Sequence, residues 1–224
     1  MRKTASVLLA VFVLSFVGCV KNNVLVPDAP LVSERIKSIY NASISVTDGI
    51  GDVHGSGTII RNRVGQKMLV LTAAHVVISM QEKQTLIRIS LAYESGWKPM
   101  VVKKLDKKID LALLEGMEDQ KFSGPEAPIA LQSPKIGDKL TVIGAPMGDS
   151  FTVTEGILSN IQEFDGNTYY RISAATFFGN SGGAAFNIKG EIVGVAHAIQ
   201  MIGGIIVVPG AAFFTNLNDI KKFL

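Results

Sequence analysis

Apolar residues recur at alternate positions in short runs along this chain, and turn-forming residues break the runs. Ile44 and Val46 form one such run; Leu86, Ile87 and Ile89 fall in another within residues 84–91; Leu140, Val142 and Ile143, then Ile192, Val193 and Val195, form two more. A period of two places one face of a strand in a core and the other toward solvent. Asp48-Gly49, Asn62-Arg63, Gly65-Gln66, Asp165-Gly166-Asn167 and Lys189-Gly190 supply the intervening turns. The pattern implies an all-β chain whose strands fall into two groups, at about 35–120 and 130–214, joined by the polar, Pro-containing residues 117–128. Two helices are expected outside these groups of strands. Ser33 is placed to cap one with Ile36, Ile39 and Tyr40 on the face toward the first group of strands, and residues 216–224 form another with Leu217, Ile220 and Leu224 on one side.

The N-terminus differs from the rest. Met1-Arg2-Lys3 precedes a run, residues 5–17, broken only by Ser6 and Ser15, too short for a span of about 20 apolar residues but suited to an export leader. Phe16-Val17-Gly18-Cys19 resembles the lipobox of bacterial lipoproteins, although Phe16 and Val17 stand where Leu and a small residue are usual. That resemblance implies a signal peptide over 1–18, lipidation of Cys19, a tether over 19–32, and an exported protein held by its lipid on a membrane, facing the periplasm or exterior. The alternative is a plain leader cut nearby. Without residues 1–18 the chain keeps 206 residues, enough to bury roughly 70% of its unfolded surface. Its balance becomes 20 basic against 19 acidic groups, and no basic cluster or aromatic platform points to nucleic acid. A single cysteine excludes an intramolecular disulfide.

Gly179-Asn180-Ser181-Gly182-Gly183 reads as a nucleophile on a tight turn, because glycines allow the positive φ and close approach such a turn needs. Upstream stand His75, ending Leu69-Val70-Leu71-Thr72-Ala73-Ala74-His75, and Asp110, within the apolar run of residues 108–114, where it reads as an acid inside a strand. The order His, Asp, Ser is one of the known triad orders. With Gly55-Ser56-Gly57 and Gly144-Ala145-Pro146-Met147-Gly148, these motifs resemble the trypsin-like (chymotrypsin-fold) serine proteases, nearest to the bacterial HtrA/Deg type, over about residues 44–214. The resemblance implies two six-stranded antiparallel barrels, at about 35–120 and 130–214, with a C-terminal helix, one protease domain over 33–224 and a cleft between the barrels; because the chain ends about ten residues after the second barrel, the PDZ domain typical of HtrA proteins is not expected. It also implies His75, Asp110 and Ser181 as catalytic residues, an oxyanion hole at Gly179, Asn180 and Ser181, and a serine endopeptidase acting on exported or misfolded proteins. A catalytically weak binding or scaffold protein on the same fold is the alternative.

For the substrate pocket the resemblance points to Ala175, Thr176, Val195, Ala196 and His197. Trypsin carries an acid where this chain has Ala175, so basic side chains are not expected before the cut. Thr176 matches a threonine that binds glutamate in bacterial glutamyl endopeptidases. Their pocket histidine aligns with Ala196, however, so His197 would need a bulge to serve. Small or apolar residues rank before glutamate, and the bland reading of His197 is a satisfied histidine beside its strand. His54 reads as solvated. The three histidines and Cys19 lack metal-ligand spacing, and no cofactor is expected.

Overall fold

The computed structural model describes residues 32–224, apart from 49–52, 93, 95, 120, 122, 149–150, 203–205 and the side chains of Val53 and His54. The expected leader, Cys19 and nearly all of the expected tether lie outside the described residues, as does the side chain of His54. The chain begins with helix α1 (Glu34–Asn41). Strands β1 (Ser43–Thr47), β2 (Val53–Arg61) and β3 (Lys67–Thr72) follow, then helix α2 (Ala74–Glu82) and strands β4 (Ile87–Leu91), β5 (Trp97–Asp106) and β6 (Leu111–Asp119). The second half carries β7 (Lys139–Gly144), β8 (Thr152–Phe164), β9 (Asn167–Ile172), β10 (Ala184–Phe186), β11 (Ile192–Ile202), β12 (Ile206–Asn216) and helix α3 (Leu217–Phe223).

The strands form two closed barrels, ordered β1-β2-β3-β6-β5-β4 and β10-β11-β12-β9-β8-β7. Closure leaves no free sheet edge. The period-two residues fill the interiors. Ile44, Val46, Ile59, Val70, Ile89 and Leu114 pack in the first barrel, and Leu140, Val142, Leu158, Ile172, Val193 and Phe214 in the second. Phe164 pairs with Asn167 across Asp165 (φ 48°) and Gly166 (φ 72°), the double left-handed geometry of a type I′ hairpin. A further cluster joins the halves: Leu71, Leu111 and Leu113 meet Ile143, Phe186, Ile192 and Val195, and α3 adds Ile220 and Phe223.

Several expectations shift. Ile39 of α1 packs into that shared cluster rather than on the first barrel alone. The Ser33 side chain makes no cap hydrogen bond; its carbonyl instead accepts from Ile36 and Lys37. Leu86 precedes β4 and is exposed. β6 runs on to Asp119, so the connection starts later than residue 117. Helix α3 buries Phe223 instead of Leu224, with Asn216 Oδ1 accepting from Asp219 N–H at 3.1 Å as its cap. Helix α2 was not expected; Ala74, Val76, Val77 and Met80 are its buried residues.

Candidate active site

His75 lies in the first turn of α2, where backbone N–H groups have no partner within the helix. The residue before the helix, Ala73, has no side chain able to cap it, and Asp110 takes over that role from another element. Its carbonyl accepts from Ala74 N–H at 3.2 Å, and its Oδ1 from His75 N–H at 2.8 Å. The other carboxylate oxygen, Oδ2, lies 2.7 Å from His75 Nδ1. A carboxylate at this end of a helix also meets the positive pole of the backbone dipoles.

Asp110 is not inside a strand, as the apolar run suggested. It ends the turn before β6 with φ at 55°, a left-handed conformation that few residues other than glycine adopt and that Asp tolerates comparatively well. Burial pushes its carboxyl up, but hydrogen bonds from His197 and His75, with the charge of His75, outweigh that and lower it to about 2. The group is ionised and acceptor-only near neutral pH, which requires His75 to hold its proton on Nδ1.

Ser181 reaches the same place from the second barrel. Its carbonyl accepts from Ser56 N–H at 2.7 Å, and a Cβ on Gly55 would meet that oxygen at 2.7 Å and Val76, next to His75, at 2.6 Å. Gly55 is thus the spacer that lets β2, α2 and the serine turn converge. Ser56 is fully buried and wires the turn further: its Oγ donates to Gly179 O at 2.7 Å and accepts from Ala145 N–H at 2.8 Å. Thr72 Oγ1 donates to Ser56 O at 2.6 Å. Among the described residues, side-chain hydrogen bonds link His75 to Asp110 and Asp110 to His197, and none reaches the Ser181 hydroxyl.

The turn before Ser181 has a defined sense. Asn180 N–H donates to Phe177 O at 3.1 Å and Gly179 has φ 95°, the signature of a type II turn with glycine at its third position. Phe178 O accepts from Met147 N–H at 2.8 Å. In a trans peptide the N–H opposes the carbonyl, so Gly179 N–H points away from the Met147 loop. The amides of Gly179 and Ser181 donate to no backbone carbonyl among the described residues, whereas the Asn180 amide is spent within the turn. Of the three residues expected at the oxyanion hole, Asn180 therefore does not offer its N–H.

Gly182 shows how tightly this turn is built. Its φ is 84°, and a Cβ there would lie 2.2 Å from both Ser56 O and Thr72 Oγ1. Gly182→Ala is expected to destabilise the fold by about 3 kcal/mol, through strain and overlap with a backbone oxygen. Denaturant unfolding checks this, and an unchanged midpoint would show that the turn accommodates a side chain.

The pocket residues divide. Ala175 is exposed, its carbonyl accepting from Thr154 Oγ1 at 2.9 Å. Val195 and Ala196 are buried, and Ala196 exchanges backbone hydrogen bonds with Gly182 and Gly183 at 2.8 Å each. Thr176 Oγ1 donates to Ala174 O at 3.0 Å. His197 turns to Asp110, with Nδ1 2.7 Å from Oδ2. The bulge that sequence reasoning required is present, between Ala196 and Ala198 opposite Phe214 and Phe213, but it delivers His197 to the acid. The donor pair expected for a glutamate is not assembled, since the Thr176 proton and the His197 Nδ1 proton are both committed elsewhere. Beside His197 opens a cavity of about 380 Å³ lined by Phe164, Tyr169, Ile199 and Phe213.

Sequence reasoning missed the Asp110–His197 contact, the stacking of Tyr169 on His197 and the bridging by Ser56. Only the chain position of His197, just beyond the segment beside Ser181, hinted at the first.

Residues 55–195 match the family described as trypsin-like peptidase domain. The mitochondrial serine protease HTRA2 of Drosophila willistoni is 30% identical over 180 residues, covering 76% of this chain and 38% of that protein. Its counterpart in Drosophila persimilis is 30% identical over 183 residues, with the same coverage of 76% and 38%. The chain thus spans less than half the length of the curated relatives it matches. The crystal structure of the serine endoprotease from Yersinia pestis superposes with a TM-score of 0.67 at 25% sequence identity, over 84% of this chain and 63% of that one.

Proposed function

Because the chain belongs to the trypsin-like peptidase family, we propose that it is a serine endopeptidase in which Ser181 is the nucleophile, His75 the general base and acid, and Asp110 the residue that orients His75. One observation carries this reading: Asp110 grips His75 by its backbone N–H at 2.8 Å and its Nδ1 at 2.7 Å. That grip leaves the Nε2 lone pair of the neutral ring free to take a proton.

In the first step the Ser181 hydroxyl proton passes to His75 Nε2 as Oγ bonds to the substrate carbonyl carbon. The carbonyl oxygen becomes an anion, received by the N–H groups of Gly179 and Ser181, each such donor being worth about 10²–10³ in rate. The tetrahedral species collapses with cleavage of the C–N bond, and His75 returns the proton to the departing amine. Water then repeats the sequence on the acyl-enzyme and frees Ser181. Asp110 stays ionised throughout and offsets the charge on His75.

The substrates we propose are unfolded or exported polypeptides cut after small or apolar residues. Ala175 leaves no carboxylate to receive a basic head, and a lost charge-assisted hydrogen bond costs about 1.5–3 kcal/mol. Digesting casein with the purified protein and identifying the new termini by mass spectrometry tests both halves. Internal cuts, with lysine and arginine depleted before them, are expected. Dominant cleavage after basic residues would overturn the pocket reading, and tight binding of casein with no cleavage would favour the scaffold.

A further inference from the structure

Asp110 serves two imidazoles at once. Nδ1 of His75 and Nδ1 of His197 each lie 2.7 Å from the same oxygen, Oδ2, while Oδ1 holds the His75 backbone N–H. An ionised carboxylate only accepts, so both rings carry a proton at Nδ1. Three donors arriving from two elements fix the carboxylate torsion, because a rotation that improves one contact breaks another.

His197 is built to stay there. It occupies the register shift between Ala196 and Ala198 of β11, where the strand carries an extra residue, and such bulges re-aim a side chain. Its ring lies nearly parallel to Tyr169 of β9, with centroids 4.8 Å apart and planes at 16°. It meets His75 edge-on at 6.4 Å and 77°. Tyr169 is itself buried, so the ring has a firm backing. Nearby, Thr215 Oγ1 of β12 donates to Ile109 O at 3.1 Å, a second tie between the second barrel and the turn that carries Asp110.

We propose that His197 is a positioning residue of the triad: by donating Nδ1–H to the Asp110 oxygen that His75 uses, and backed by Tyr169, it holds the carboxylate in the one orientation that aims His75. Its kinetic consequence rests on the endopeptidase reading; the placement of Asp110 rests on the hydrogen bonds alone. Without His197, Oδ2 keeps a single side-chain donor and the carboxylate gains freedom to turn.

Comparing the wild-type chain with His197→Ala and His197→Asn tests the proposal. Asparagine shares the Cβ–Cγ stem of histidine and can present its amide N–H near the position of Nδ1, so it keeps the donor without a ring. In His197→Ala, kcat is expected to fall about tenfold, with KM changed less than twofold. His197→Asn should return kcat to within about threefold of wild type. Proton NMR supplies a readout independent of turnover, because a short, charge-assisted N–H to carboxylate bond shifts its proton far downfield. Two such imidazole protons are expected in the wild type and one in His197→Asn. An unchanged kcat in a folded His197→Ala, or a single downfield proton in the wild type, would overturn the proposal. A wild type without turnover but with both protons, one lost in His197→Asn, would sink the endopeptidase reading while upholding the placement of Asp110 by His197.

Discussion

Ser181→Ala and His75→Ala are each expected to lower kcat/KM by a factor of about 10⁴ or more, and the double variant should be little worse than either alone. Nucleophile and base work as one unit: a base with no hydroxyl to deprotonate contributes nothing, and a serine without its base remains a weak nucleophile. KM should stay nearly constant, since neither change touches the residues that surround the substrate side chain. The folds should also survive. His75 has 45% of its side chain exposed, and the contacts that hold the serine turn to Ser56, Phe177 and Ala196 are made by backbone atoms of the turn. Losses that multiplied in the double variant would mean that the two residues act independently.

Asp110→Asn is expected to cost about 10⁴ in kcat. The amide has one acceptor and one donor end, whereas the site needs acceptors at both. With its NH2 toward Oδ2, it faces two imidazole Nδ1 atoms and drives the His75 proton to Nε2, the wrong tautomer for a base. With its NH2 toward Oδ1, it opposes the His75 backbone N–H. Stability should fall too. The Asp110 carboxyl is lowered from 3.8 to about 2, so its contribution is present above 3.8 and is lost as pH falls through about 2. A shift of that size corresponds to about 2 kcal/mol at neutral pH. The gap in unfolding free energy between wild type and Asp110→Asn should therefore narrow across that window. Urea titrations at several pH values measure it, and a gap independent of pH would show that the carboxylate charge is not what stabilises the site.

Elements set by short-range patterns were legible before the structure. Ile87 and Ile89 alternate with less buried residues because one face of β4 is buried, whereas Ile44 and Val46 alternate with the small polar Ser43, Ser45 and Thr47 in a β1 that is buried on both faces, and Asp165-Gly166 suits a hairpin that needs two left-handed residues. The glycines around Ser181 announced a turn for the same local reason. What escaped depended on distant partners. Asp110 looked like a strand residue because Leu111 to Leu114 are apolar, but its positive φ follows from the turn that hands the chain from β5 to β6. His197 was one residue out of place for the pocket. Its bulge is defined against Phe213 and Phe214 on the neighbouring strand, so no window of sequence around His197 could specify where the ring points. Ser56 sat in a recognisable motif, yet its bonds to Gly179 and Ala145 span 123 and 89 residues.

Reaction with a serine-directed fluorophosphonate, followed by intact mass and peptide mapping, tests most directly whether Ser181 is an activated nucleophile. The wild type should gain one adduct, on Ser181, and Ser181→Ala should gain none. Labelling needs the base to draw the proton from Oγ, so His75→Ala should react far more slowly than the wild type. A wild type that stays unmodified, or a Ser181→Ala variant that labels as readily, would contradict the assignment.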